Sequence, residues 1–216
     1  MSKKKEKPIA VSVIKRLPVY YRFLTTLHSK GVERISSSEL AEKLGVTASQ
    51  IRQDLSQFGN FGQRGYGYRV ANLKEAIAKI LGLDNQMEMV LAGAGNLGKA
   101  IINYPNFKRR GFYIKGIFDV NPELIGQEVA GLLVQDISLL ADFLTKNRID
   151  IGIITTPPES AVDVANIFVR GGIRGIWNFA PVSLNYSGKV LVENVHISES
   201  LLTLSYMIDE KFGSKS

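Results

Sequence analysis

Apolar residues recur every three or four positions through residues 9–30, IAVSVIKRLPVYYRFLTTLHSK, where Val13, Leu17, Tyr20, Tyr21, Leu24 and Leu27 share one side of a helix. Gly31 follows as a stop signal, and Pro18 predicts a break or restart inside the run. The segments then shorten. SSSELAEKLG opens on serines suited to capping, places Leu40, Ala41 and Leu44 on one face and closes on Gly45. VTASQIRQDLSQF starts on Thr47, a second cap, and turns Ile51, Leu55 and Phe58 inward. Two short helices joined by the tight GVTA turn make a helix-turn-helix, the second presenting Ser49, Gln50, Arg52, Gln53 and Ser56 on its polar side.

From residue 87 the period changes to strands alternating with helices. MEMVLAGAG reads as a strand entering a glycine turn, Leu97 to Phe107 as a helix and FYIKGIFDVNP as the next strand. DISLLADFLTKN, RIDIGIITTPPES, AVDVANIFVRGG, IRGIWNFAPV and KVLVENVHI continue the alternation, which predicts an α/β doubly wound parallel sheet. The closing SESLLTLSYMIDEKFGSKS is one amphipathic helix whose apolar stripe, Leu201, Leu204 and Ile208, has nothing in its own chain left to cover it. It reads as a dimer element. The pattern divides the chain at 1–84, 85–195 and 196–216.

Charge gives the first division a chemistry. Residues 1–84 carry 15 Lys and Arg against 7 Asp and Glu, a net +8, whereas residues 85–216 carry 12 against 13, a net −1. Removing the four lysines within residues 3–7 still leaves the first module at +4. A basic module beside a neutral one points to phosphate, hence to nucleic acid. The polar face of the second helix fits that partner, because Arg bonds guanine bidentately and Gln does the same for adenine. The GNFGQRGYGYRV segment after it alternates glycines with Phe61, Arg64, Tyr66 and Tyr68, the composition of a hairpin wing whose Arg64 suits a minor groove. These residues predict a winged helix on double-stranded DNA.

The absence of cysteine removes disulfides, thiolate catalysis and cysteine-ligated metal, and fits a reducing compartment. The basic N-terminus leads into an amphipathic pattern, and no run approaches roughly 18 apolar residues. The expectation is a cytoplasmic protein with no membrane partner and no metal site.

In the second module VLAGAGNLGKAI places Gly93, Gly95 and Gly98 in the spacing G-x-G-x-x-G between strand and helix. Ala94, Asn96 and Leu97 complete the turn. Asp119 closes the following strand about twenty residues later, where a carboxylate accepts ribose hydroxyls and repels a 2′-phosphate. This pattern favours NAD(H) over NADP(H). An enzyme is harder to find: His28 lies in the first helix of the basic module as a surface or core residue, His196 has no evident carboxylate partner in sequence, and too few residues remain for a substrate domain. A small NAD-dependent oxidoreductase and a CoA-binding protein stay as alternatives, with Asp119 opposing the second.

The segments IKRLPVYYRFL, SSSELAEKLGVTASQIRQDLSQFGNFGQRGYGY, GAGNLGKAI, GIFDVNP and IRGIWNFAPV, with the closing helix, together resemble Rex, a family of redox-sensing transcriptional repressors, over nearly the whole chain. The resemblance implies a homodimer of winged-helix and Rossmann domains with the C-terminal helix swapped between subunits. It implies a non-enzymatic sensor that binds an inverted-repeat operator with NAD⁺ and is released by NADH. It also assigns Thr155, Thr156 and Pro157 to a loop beside the cofactor, Asn178, Phe179, Ala180 and Pro181 to the nicotinamide region, and Ile197 to an apolar contact on the partner's nicotinamide pocket. Arg16 and Tyr104 match an arginine and tyrosine that link cofactor state to the winged helices. His196 replaces the aspartate of that set, and an arginine beside histidine gains no salt bridge. Gln53, Asn60 and Gln63 stand where lysine, glutamate and lysine are common, which implies a shallower salt dependence on DNA.

Overall fold

The computed structural model describes residues 9–213 apart from 60, 64, 65, 187 and 189. Asn60 and the wing residue Arg64 therefore lie outside the described residues. The chain divides into two compact units, Met1–Asn85 and Gln86–Ser216.

In the first unit, helix α1 (Val11–Ser29) runs unbroken through Pro18, contrary to the expected break. An interior proline costs about 3 kcal/mol through its missing N–H and its clash with the preceding turn. Here Pro18 is exposed, as is Ile14, the residue whose carbonyl loses its partner. Val13, Leu17, Tyr20 and Leu24 are buried on the opposite face. At about 1.5–3 kcal/mol for each large apolar side chain, that burial outweighs the proline.

Strand β1 (Arg34–Ile35) leads into α2 (Ser37–Leu44), whose Ser36 and Glu39 form a reciprocal capping box. The following α3 (Ala48–Ser56) starts at Thr47, whose Oγ1 accepts from the Gln50 N–H at 3.2 Å. Strands β2 (Gly62–Gln63) and β3 (Gly67–Arg69) pair antiparallel, and β3 also pairs with β1, giving the order β1-β3-β2. Helix α4 (Val70–Ile80) closes the unit. Its core joins Leu17, Tyr20 and Leu24 to Leu40, Ile51, Leu55, Leu73 and Ile77.

The second unit opens with β4 (Met87–Ala92), α5 (Asn96–Ile102) and α6 (Asn106–Arg109). The single helix expected from Leu97 to Phe107 is thus two. Pro105 explains the interruption, since it has no N–H to continue α5 and biases Tyr104 away from helical backbone. Strand β5 (Phe112–Asp119) is followed by an unexpected hairpin, β6 (Glu128–Val129) against β7 (Leu132–Asp136). A short 3₁₀ turn leads to α7 (Leu140–Lys146), then β8 (Ile151–Ile154), α8 (Pro158–Arg170), β9 (Gly175–Asn178) and β10 (Leu191–Asn194).

The sheet order is β10-β9-β8-β4-β5-β7-β6, parallel throughout except for the β6 edge. Core clusters around Phe168 and Ile154, and around Leu91 and Ile117, flank it. The chain leaves β4 toward β5 on one side and returns through β8 on the other. That reversal opens a crevice at the carboxyl ends of the strands, where ligands of open α/β sheets bind. The last element, α9 (Ile197–Phe212), buries none of its residues in this chain.

Candidate functional site

In the first unit Ser49, Arg52, Gln53 and Ser56 are exposed along α3, and Gln50 is half-buried beside them. Arg52 Nη1 donates to Ser37 Oγ at 2.9 Å, which ties the exposed guanidinium to the start of α2. Tyr66 is exposed at the wing, where Arg34 Nη1 donates to its carbonyl at 3.2 Å and the Arg34 guanidinium lies 5.9 Å from its ring centroid. Tyr68 corrects the sequence reading. It is buried in the core opposite Ile35, so the inward face of β3 uses its ring for packing and leaves it little surface for a groove.

The sequence reading missed Asp54. This carboxylate is 2% exposed on the inner side of α3. Its Oδ2 accepts from Arg16 Nε at 2.6 Å and from Tyr20 Oη at 2.7 Å, and its Oδ1 accepts from Arg16 Nη2 at 2.7 Å. Burial pushes the Asp54 carboxyl up, but the bonds from Arg16 and Tyr20 overcome it and leave the group below its ordinary value. Burial, with the bond to Asp54, pushes the Tyr20 phenol up to about 12. Arg16, expected to have lost its carboxylate partner to His196, holds a bidentate one inside its own unit. The sequence signal was an acidic residue on an otherwise apolar helix face.

In the second unit the glycine turn follows from packing. Gly93 sits at φ +102°, and a Cβ there would come 2.7 Å from the Thr155 backbone. A Cβ at Gly98 would overlap the Gly93 carbonyl oxygen. Gly95 meets nothing within 4 Å, leaving the space before α5 open to a ligand. Asp119 braces this turn with both oxygens, Oδ2 accepting from the Ala94 N–H and Oδ1 from the Asn121 N–H at 2.8 Å. Each oxygen retains a second lone pair for ribose.

The crevice beside this turn is a cavity of about 710 Å³, lined among others by Gly93, Gly95, Leu97, Asp119, Thr155, Thr156, Pro157, Phe179 and Pro181. That volume lies in the range of small-ligand sites. Val120, Asn121, Leu124, Ile137, Ser160, Asp163 and Ile167 also line it and were not anticipated. Thr156 Oγ1 is buried without a hydrogen-bond partner, a polar atom placed to meet a ligand's polar group. The open space at Gly95 and this hydroxyl fit a dinucleotide.

Ala94, Asn96, Gly98, Asn178 and Ala180 were anticipated but do not line the cavity. Ala94 is buried and spends its N–H on Asp119; Asn96 is exposed at the first position of α5. Asn178 is fully buried, its Nδ2 donating to the Val182 carbonyl at 2.7 Å and to Asn194 Oδ1 at 2.8 Å, its Oδ1 accepting from the Ala180 N–H at 3.0 Å. With both amide hydrogens used, Asn178 fixes the turn that presents Phe179 and Pro181, and Ala180 packs beneath it.

Tyr104 is partly exposed, its ring edge on Phe107 at 5.0 Å; Phe107 in turn meets Trp177 at 5.9 Å and Trp177 meets Phe179 at 4.6 Å. His196 is half-buried, 3.4 Å through Nε2 from Ser183 Oγ. Ile197 is exposed, as are Leu201, Leu202, Leu204, Tyr206, Met207, Ile208 and Phe212 on α9. Among the described residues no group of three His, Cys, Asp or Glu could hold a metal, and no helix is long and apolar enough to cross a membrane.

Known proteins match both units. Residues 8–56 match the family model "Putative DNA-binding protein N-terminus" and residues 84–182 match "CoA binding domain". A redox-sensing transcriptional repressor Rex of Clostridium novyi (strain NT) is 52% identical over 205 residues, 95% of this chain and 98% of that one. The crystal structure of RSP in complex with β-NAD⁺ and operator DNA matches with a TM-score of 0.89 at 50% identity, over 95% of this chain and 94% of that one. RSP in complex with β-NADH matches with a TM-score of 0.88 at 48% identity, over 95% and 96%.

Proposed function

The chain belongs to the Rex family of redox-sensing transcriptional repressors, and on that premise we propose that it is a homodimeric repressor releasing operator DNA when NADH occupies its second unit. Residues 1–84 bind the duplex, 85–195 bind NADH or NAD⁺, and 196–216 join two subunits through a swapped α9. The observation that carries the reading is one chain holding both a helix-turn-helix with a polar outer face and a 710 Å³ crevice at the G-x-G-x-x-G turn.

The roles follow from the chemistry of each position. The turn at Gly93 and Gly95 admits a pyrophosphate, Asp119 accepts ribose hydroxyls, and Thr156 Oγ1 bonds a polar group of the dinucleotide. Phe179 and Pro181 wall the nicotinamide end. On α3, Ser49, Gln50, Arg52, Gln53 and Ser56 face the major groove, and Tyr66 belongs to the wing. Tyr104, His196 and Ile197 lie on the route by which cofactor state reaches the partner subunit. A bound nicotinamide supplies redox state as a signal. The cavity's titratable lining is Asp119, already committed to backbone, and Asp163, which leaves no oriented acid and base for turnover.

Release requires the dinucleotide to bind the DNA-competent and released arrangements with different affinities. Calorimetric titration of the full-length protein with NADH, NAD⁺, NADPH and CoA tests the ligand assignment. Binding of both NAD species with discrimination against NADPH and CoA is expected. The match to a CoA-binding model favours one rival, and tighter binding of CoA than of NADH would establish it.

A further inference from the structure

Arg34 on β1 and Arg69 on β3 are direct cross-strand partners, and both side chains are exposed. Like charges placed directly opposite in an antiparallel pair repel and destabilise the sheet. Neither arginine makes an ion pair among the described residues. They line a cleft of about 420 Å³ together with His28, and Lys74 Nζ lies 3.4 Å from His28 Nδ1. Glu33 is the one acidic side chain in the lining. Two arginines against one glutamate, with Lys74 beside them at His28, make a receptor for negative charge.

The strand that carries Arg34 runs directly into α2, the first helix of the pair that includes the reading helix. Arg34 grips the wing at Tyr66, and three residues along the chain Ser37 accepts from Arg52 of α3. We propose that Arg34 and Arg69, with Lys74, seat backbone phosphodiesters of the bound duplex just outside the bases that α3 reads. This rests on the DNA-binding reading of the first unit and adds an anchoring site to it. Phosphate contacts fix register and contribute affinity without sequence preference, whereas base contacts specify.

The test is an Arg34→Gln, Arg69→Gln double variant of the full-length protein, titrated onto two fluorescent duplexes across a range of KCl concentrations. One duplex carries an inverted repeat selected by the parent from a random pool, and the other has the same composition scrambled. Each lost phosphate contact lowers the magnitude of the slope of log K against log salt by about 0.9, so two contacts in each subunit of a dimer on the inverted repeat lower it by roughly 3.6. The loss should be the same factor on both duplexes, with NADH affinity unchanged. A slope shared by parent and variant, or a loss confined to the selected duplex, overturns the inference while leaving the DNA-binding reading intact. Heat protection of the parent by inorganic phosphate, with no change of slope in the variant, assigns the cleft to a free anion and overturns it as well. A parent that binds neither duplex overturns both readings.

Discussion

Asp54→Asn tests how the DNA-reading helix is held in place. The substitution keeps the side chain's shape, removes its charge and replaces one acceptor oxygen with an amide that faces Arg16 or Tyr20. Removing one partner of a buried ion pair costs about 3–5 kcal/mol. The Arg16 side chain is 28% exposed, so part of its charge is recovered by water, and the retained amide oxygen still accepts one bond. The expected loss is therefore roughly 2–3 kcal/mol. For a unit of this size each kcal/mol moves the melting midpoint by about 4–8 °C, which gives a fall of roughly 8–24 °C in scanning calorimetry.

The acid side supplies an independent check. Because folding lowers the Asp54 pKa, its stabilisation is fully present above the unfolded carboxylate value of about 4 and is lost as pH falls through the folded value. Asp54→Asn should remove that part of the acid sensitivity. On the alkaline side, Tyr20 contributes below about pH 10 and loses its contribution as pH rises to about 12. A double-mutant cycle with Arg16→Met should give a coupling above about 0.5 kcal/mol, the level at which additivity fails for contacting residues. A midpoint within about 2 °C of the parent, or additive effects in the cycle, refutes the assigned network.

Three further substitutions address the second unit. Asp119→Ala should weaken NADH binding and narrow the preference over NADPH in calorimetric titration, because it removes the ribose acceptor, the repelling charge and the brace on the Ala94 and Asn121 N–H groups; unchanged selectivity would assign ribose reading elsewhere. Thr156→Val should leave the ligand-free melting temperature unchanged or slightly raised, since it replaces an unpartnered buried hydroxyl, yet weaken NADH by about 1 kcal/mol; quenching of Trp177 emission by NADH reads the affinity, and unaltered binding would place the hydroxyl outside the contact. Leu204→Glu with Ile208→Glu on α9 should turn a dimer into monomers in sedimentation velocity, and a dimer that persists would place the subunit contact on another surface.

Local chemistry was legible in the sequence. The Leu17, Tyr20 and Leu24 spacing, the Ser36 capping box, Thr47 at the head of α3 and the strand-glycine-helix order around Gly93 each depend on residues within one or two turns of each other. What escaped depends on distant partners. Pro18 is carried by core contacts that lie far along the chain. Asp54 acquires meaning from Arg16, 38 positions away. Tyr68 and Asn178 carry the chemistry of contact residues, but the pleat turns one into the core and a hydrogen-bond network uses up the other. In the β6–β7 hairpin, β6 is only two residues long and the LLVQD of β7 does not alternate apolar with polar positions. The cavity lining was legible at the fingerprint and at Asp119, whereas Ser160, Asp163 and Ile167 enter it only because α8 packs across the sheet.

As a Rex-family repressor, the protein couples nicotinamide redox state to DNA affinity. The most direct measurement of that coupling is a fluorescence-anisotropy titration of the selected inverted-repeat duplex at fixed ionic strength, with saturating NAD⁺ in one series and saturating NADH in the other. Tight binding is expected with NAD⁺, and a dissociation constant at least tenfold weaker with NADH, equivalent to about 1.4 kcal/mol of coupling. Superimposable isotherms under the two dinucleotides, with both shown to be bound, would contradict it.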